Sequence, residues 1–257
     1  MIIKSFYFTH VGNYRSINED TLLVDDKIFQ TKGMDSFSTQ IISTQNAIFA
    51  IADGMGGHAK GELASHSILS YLRDNKNNIK TEKDLKNTIL NSQKKLSDIA
   101  KNNNSYGMGT TLSGILLLKN KGIIFNCGDS RVYQIDSDDL VRITEDDSEV
   151  FSMFKNGEIT EDQIRLHKGK NILTSAIIGD DKDRIPKISN QIVKYKIGTR
   201  FLICSDGLWE GIPIEKFKSF FREIISEEEL CKTLAQFSLK YSGLDNLSFI
   251  LLKIIEI

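Results

Sequence analysis

The 257-residue chain has 33 basic and 34 acidic side chains, a formal net charge of −1, with 40% hydrophobic and 26% charged residues. That balance excludes a generally basic surface for nucleic acid and gives no pull towards an anionic membrane. The 3 cysteines, Cys127, Cys204 and Cys231, are odd in number and far apart in apolar runs, which excludes a disulfide framework or zinc knuckle and suits a reducing compartment.

The N-terminal stretch has no basic segment followed by an apolar one, and no apolar run reaches the roughly 20 residues a bilayer demands. The reading therefore expects a cytoplasmic protein. Strand-like runs follow in order at Thr21–Asp25, Ala47–Ala52, Leu112–Leu118, Gly122–Cys127, Val132–Ile135, Gln191–Lys196, Arg200–Cys204 and Leu247–Ile254. Several are continuously apolar, so both faces are expected to be covered. Between the second and third runs, Ala64, Ile68 and Leu72 share one helical face. Leu85, Ile89, Leu96 and Ile99 form another stripe behind a Thr81-x-x-Asp84 capping box. A further helix is predicted from Ser226 through Leu230, Leu234, Phe237 and Tyr241. The polar stretch Gln30–Asn46 reads as a loop. Glu145–Gly179 reads as a semi-ordered excursion of short helices and a candidate lid. With only 2 prolines and no linker tract, one domain of sheets covered by helices, an α+β layered arrangement, is expected over residues 1–257.

Aspartates recur where these apolar runs end. Ala47–Ala52 leads into Asp53-Gly54, Ile123–Cys127 into Gly128-Asp129, and Phe201–Cys204 into Ser205-Asp206-Gly207, while Asp245-Asn246 precedes the last run. Any one Asp-Gly pair is ordinary turn chemistry. Four at the ends of core strands would converge if the strands are neighbours, and carboxylates crowded beside a core need a cation. An all-oxygen donor set suits Mg²⁺ or Mn²⁺ better than zinc. The pattern thus points to metal-assisted hydrolysis, with phosphate as the fitting target.

The same residues resemble the protein phosphatase 2C family, the metal-dependent PPM Ser/Thr phosphatases, in its compact bacterial form. Gly12-x-x-Arg15-x-x-Asn18-Glu19-Asp20, DGMGGHAKGELAS at 53–65, GMGTT at 107–111, CGDSRVY at 127–133, LTSAIIG at 173–179, CSDGLWE at 204–210 and DNLS at 245–248 follow in family order. The resemblance implies a four-layer αββα sandwich, two antiparallel sheets flanked by helix pairs. It implies that Asp20, Asp53, the Gly54 carbonyl, Asp206 and Asp245 hold two core ions, and that Asp129 with Asp206 holds a third. It places Glu19 and Asn246 behind those ligands, Arg15 on the substrate phosphate, and His58 as proton donor to the leaving group. The implied reaction is hydrolysis of phosphoserine or phosphothreonine proteins by direct attack of hydroxide bridging Mn²⁺ or Mg²⁺ ions, with residues 145–179 as a flap.

The expected partners are phosphoproteins, with a Ser/Thr kinase or its targets among them; no nucleic acid or membrane partner is expected, and the chain is expected to be a monomer. Competing readings are a partner-switching phosphatase for one regulatory phosphoprotein, a phosphoprotein-binding pseudophosphatase and, on the same ions, a nuclease or phosphodiesterase. Three positions depart from the family pattern: Asp147 stands where histidine is common, Lys168 where proline is, and Ser175 where arginine is.

Overall fold

The computed structural model describes all residues except 57–59, 120, 137–138, 181, 183 and 225. Among the described residues, one antiparallel sheet contains β1 (Ile2–His10), β4 (Ser38–Ser43), β9 (Arg131–Asp136), β10 (Asp139–Arg142), β13 (Arg200–Cys204) and β14 (Leu247–Glu256), in the order β10-β9-β13-β14-β1-β4. The other contains β5 (Asn46–Met55), β6 (Met108–Thr110), β7 (Leu112–Leu118), β8 (Lys121–Cys127), β11 (Ile177–Gly179) and β12 (Ser189–Val193), in the order β11-β6-β5-β7-β8-β12. A ribbon of β2 (Asp20–Val24) and β3 (Lys27–Phe29) joins it through β2 and β5.

The continuously apolar strands have both faces covered. In β5, Phe49 and Ile51 pack between the sheets with Phe201, Ile203, Ile250 and Leu252. Their neighbours Ile48, Ala50 and Ala52 point the other way, onto Ile68 and Leu72 of α1 (Gly61–Asn75) and Leu85, Ile89 and Leu96 of α2 (Glu82–Asn102). On the far side, α6 (Ile214–Glu223) and α7 (Glu227–Tyr241) bury Phe217, Phe221, Leu230 and Leu234 against Phe6, Leu202 and Leu251 of the first sheet. The result is the expected αββα layering. Each wholly buried Leu, Ile or Phe contributes about 1.5–3 kcal/mol, so the strand ends that carry the aspartates sit on rigid supports.

The predicted helix starts hold. Thr81 and Asp84 form the capping box of α2, and the Ser226 hydroxyl accepts from the Glu229 amide at the start of α7. Other expectations need correction. The stretch 30–46 is not simply a loop: it contains β4, which pairs with β1 along the sheet edge. The burial of β4 is confined to Ile42, so its sequence carries the weak pattern of a strand covered on one face only. The whole of β1 was absent from the predicted strands, although it lies between β14 and β4. The strand expected at 191–196 runs instead over Ser189–Val193. The first half of 145–179 is no excursion. The short helices α3 (Glu149–Lys155) and α4 (Glu161–Ile164) send Val150, Phe151 and Ile164 into the cluster that packs α6 and α7.

Candidate active site

The two sheets end together at one edge of the sandwich, and the aspartates lie there. Asp20 opens β2 directly opposite Asp53 at the end of β5, a like-charged cross-strand pair that is unfavourable by itself. Asp206 begins α5 (Asp206–Trp209), immediately after β13 of the opposite sheet. The Ser205 hydroxyl donates to Asp20 Oδ2 at 2.9 Å and so ties one sheet's end to the other's. Burial is the largest influence on Asp53, and the charges of Asp20, Asp206, Asp129 and Asp245 all press on it as well. The carboxylates predicted from sequence are therefore one cluster.

Close backbone approach explains two glycines of the DGMGG…G motif. The Gly54 N–H donates to the Glu19 carbonyl, and a Cβ there would fall 2.3 Å from the Gly61 carbonyl oxygen. A Cβ on Gly61 would fall 2.5 Å from Glu19 Oε1. Only glycine lets the start of α1 press this closely on the strand end. Asn246 fixes the loop that carries Arg15 and Glu19. Its side-chain amide donates to the carbonyls of Val11 and Ile17, both at 3.0 Å, and its oxygen accepts the Glu19 N–H at 2.8 Å. Arg15 lies half-exposed at the rim, with its Nη2 2.8 Å from Asp245 Oδ2.

Burial outweighs the few countercharges in the cluster, Arg15 on Asp245, Lys170 on Asp206 and Arg131 on Asp129. Desolvation pushes Asp20 up to about 7 and Asp206 up to about 6, with other aspartates adding to each. Asp53 and Asp129 are held well above the usual carboxylate range, again chiefly by burial. Burial also raises Glu19, with repulsion from Glu62 next. Oδ1 of Asp20 and Oδ1 of Asp206 are buried without a hydrogen-bond partner. Such atoms are costly unless something outside the chain satisfies them, and a hard divalent cation fits an all-oxygen set. Among the described residues, no three His, Cys, Asp or Glu side chains close tightly enough to form a complete cage. A small cation that keeps several of its waters and takes only one or two carboxylates suits this arrangement.

These groups floor a 540 Å³ cleft lined by Arg15, Glu19, Asp53, Gly54, Asp129, Asp206 and Asp245. Its opposite wall comes from residues 171–178 and 184–186. Of the residues expected from sequence, Asp20 and Asn246 lie behind this lining. His58 lies outside the described residues.

Sequence reasoning missed the supports. The Thr110 hydroxyl and Thr111 N–H both donate to the Asp53 carbonyl at 2.9 Å, and the Thr111 hydroxyl accepts the Asp53 N–H. The GMGTT motif was legible, but not this clamp. Glu210, pushed up to about 8 mainly by burial and then by Asp206, forms a close ion pair with Lys170 of the flap. Its position in CSDGLWE, one helical turn after Asp206, was the available signal.

Two of the three departures from the family pattern, Asp147 and Ser175, meet through Lys187. Asp147 is fully buried; it accepts from Lys187 Nζ at 2.6 Å and from the Gly128 N–H at 3.2 Å. Ser175 accepts the Lys187 N–H at 2.8 Å. The segments bearing Asp147 and Ser175 are thereby tied to Gly128, next to Asp129.

No described helix is long and apolar enough to cross a membrane. The protein phosphatase 2C family model matches residues 30–239, so Arg15, Glu19, Asp20, Asp245 and Asn246 lie outside that match. The chain is 29% identical over 253 residues to the serine/threonine phosphatase stp of Listeria innocua, covering 95% of this chain and 93% of that one. The crystal structure of serine/threonine phosphatase Stp1 from Staphylococcus aureus superposes with a TM-score of 0.79 at 28% identity, over 98% of this chain and 95% of that chain. The catalytic domain of PstP, solved in complex with 2 manganese ions, superposes with a TM-score of 0.77 at 24% identity over the whole of both chains, a likeness of fold. By the extent of the family match, with the layered fold and the aspartate-floored cleft in agreement, the chain belongs to the protein phosphatase 2C family.

Proposed function

We infer that this protein is a divalent-metal-dependent phosphatase acting on phosphoserine and phosphothreonine in proteins. One observation carries the reading. Aspartates from the ends of both sheets meet on the floor of a single cleft, where their mutual repulsion is only partly offset, by Arg15 on Asp245 at the rim. On this reading Asp20, Asp53, Asp206, Asp245 and the Gly54 carbonyl hold two ions of Mn²⁺ or Mg²⁺, and Asp129 with Asp206 takes a third. When bound, divalent cations supply Lewis acidity and water activated at neutral pH.

The chain's own groups do the rest. Ser205, Thr110 and Thr111 hold Asp20 and Asp53 in place. Asn246 aims the loop that bears Arg15, whose planar guanidinium grips two phosphate oxygens at once. Arg15 is paired with Asp245, which holds the guanidinium beside the cleft floor where a substrate phosphate would meet it. Glu19 orients water at the cluster, and His58 hands a proton to the departing serine or threonine oxygen. Residues 1–257 form one catalytic domain, with 145–179 as its flap. The partners are phosphoproteins, with a Ser/Thr kinase or its targets among them, and the chain works as a cytoplasmic monomer.

The test is hydrolysis of p-nitrophenyl phosphate and a phosphothreonine peptide by purified protein with Mn²⁺ or with EDTA. Turnover of both that requires Mn²⁺ and vanishes in EDTA is expected. Folded, Mn²⁺-binding protein that turns over neither would overturn the catalytic reading in favour of phosphoprotein binding.

A further inference from the structure

The cleft has two unlike walls. Its floor is anionic, with Glu19, Asp53, Asp129, Asp206 and Asp245. The lining from residues 171–178 and 184–186 sets apolar Leu173, Ala176, Ile178, Ile185 and Pro186 among polar Asn171, Thr174, Ser175 and Arg184. Ile185 is the most exposed of the large apolar side chains among the described residues, at 79%, and it stands on this wall. Outside the cleft lining, the exposed Tyr14 (74%) and Ile17 (56%) lie close to Arg15 in the chain, and Leu244 (63%) precedes Asp245. The Asn13 N–H donates to the Gly243 carbonyl at 2.7 Å, which brings the loops bearing Tyr14 and Leu244 together. Exposed apolar residues are ordinary when scattered; Ile185 differs in standing on the lining of the cleft itself.

Charge at the rim narrows the occupant. The cations lining the cleft are Arg15 and Arg184. Arg15 is paired with Asp245, and Arg184 Nε lies 3.0 Å from Asp180 Oδ2. Beside its polar groups this part of the lining therefore offers apolar side chains, Ile185 foremost, and an arginine that is already paired. Gln93 of α2 holds this wall in place, donating to the Arg184 carbonyl at 2.6 Å and to the Ile178 carbonyl at 3.3 Å. An extended chain with its phosphate on the floor presents the neighbouring side chains about 3.3 Å per residue further along, at the height of the lips.

We propose that Ile185 is a specificity residue, packing against an apolar side chain next to the phosphorylated serine or threonine, so that the substrates are phosphoprotein segments with apolar flanks. This rests on the phosphatase reading above. The experiment compares kcat/KM for phosphothreonine peptides carrying Leu, Glu or Lys beside the phosphorylated residue, in wild type and Ile185→Glu, with p-nitrophenyl phosphate as a flank-free substrate. Wild type is expected to favour the Leu peptide by about tenfold, the scale of a small apolar contact. Ile185→Glu is expected to abolish that preference and raise the relative rate of the Lys peptide, with p-nitrophenyl phosphate turnover changed less than twofold.

Equal rates for the three peptides in wild type would overturn the proposal. So would a parallel fall on p-nitrophenyl phosphate, which would assign Ile185 to the chemistry or the flap. Sedimentation of both proteins checks a second copy as the occupant: wild-type dimers lost in Ile185→Glu, with peptide preference unchanged, would also overturn it. Absence of Mn²⁺-dependent p-nitrophenyl phosphate turnover would instead bring down the phosphatase reading itself.

Discussion

Two groups of buried carboxylates lie close together and are treated in opposite ways. Asp146 is met by the buried Arg131, with guanidinium-to-carboxylate distances of 2.6 to 3.2 Å, and the same guanidinium lies 3.4 Å from the centre of the Trp209 ring. Trp209 in turn donates from Nε1 to the Asp129 carbonyl at 3.1 Å. Every charge there has an internal partner, and the group braces the turn that presents Asp129. A few residues away, Asp20 and Asp206 are also buried, have no basic side chain bonded to them among the described residues, and leave one oxygen each unbonded. The first group is finished by the chain alone. The second is left for a ligand to complete, and stability is forgone there for function.

The contrast is broken most severely at Asp206. Asp206→Asn is expected to lower Mn²⁺-dependent turnover by about 10³-fold or more while preserving the fold, because it removes a charge without removing packing. Steady-state kinetics beside circular dichroism checks this, and near-normal turnover would refute the assignment of Asp206. In the finished group the outcome reverses. Asp146→Ala strands a buried guanidinium and is expected to cost about 3–5 kcal/mol of stability, read by urea unfolding with and without Mn²⁺. A loss under 1 kcal/mol would show that water, not Asp146, satisfies Arg131.

Arg15 lies between these extremes, half-exposed and paired with a cluster aspartate. Arg15→Ala is expected to reduce kcat/KM by about 10²-fold with Mn²⁺ affinity retained. Titration calorimetry checks the second half of that statement; loss of Mn²⁺ binding would make Arg15 an organiser of the cluster rather than a substrate contact.

The gentlest probe is pH. Asp20 at about 7 and Asp206 at about 6 are raised above their unfolded values, so the metal-free folded state holds more protons than the unfolded chain between roughly pH 4 and 7. Stability of the metal-free protein therefore falls as pH rises through that window, by up to about 1.4 kcal/mol per pH unit for each proton held. Mn²⁺ replaces those protons, so its stabilising effect should grow over the same range. Thermal melts in EDTA and in Mn²⁺ from pH 5 to 8 test this; a metal-free protein whose stability rises with pH would contradict the unpaired state of the cluster.

The elements read well from sequence were those whose pattern is local. Residues 47–52 are apolar without a break because both faces of β5 are covered, and Thr81 with Asp84 announces α2 through a reciprocal hydrogen bond spanning three residues. β4 escaped because an edge strand with Ile42 as its buried residue looks like polar loop, and β1 because its strand character depends on partners far along the chain in β14 and β4. The strand-end pattern picked out Asp53, Asp129, Asp206 and Asp245, whereas the roles of Asp20, Arg15 and Asn246 came only through the resemblance to the family.

What the linear chain could not express is distance between remote segments. Asp20 opposite Asp53, Ser205 bonded to Asp20, Asn246 holding the loop from Val11 to Glu19, and Lys187 meeting Asp147 each join residues far apart in sequence. Sequence alone determined which chemistry was possible, because carboxylates, glycines and an arginine at those positions define a donor set and its supports. Only the tertiary structure decided that the carboxylates share one floor with little countercharge, and that Ile185 stands on the lining of the same cleft. Burial and long-range Coulomb repulsion are set by the packing of whole sheets and not by neighbours in the chain.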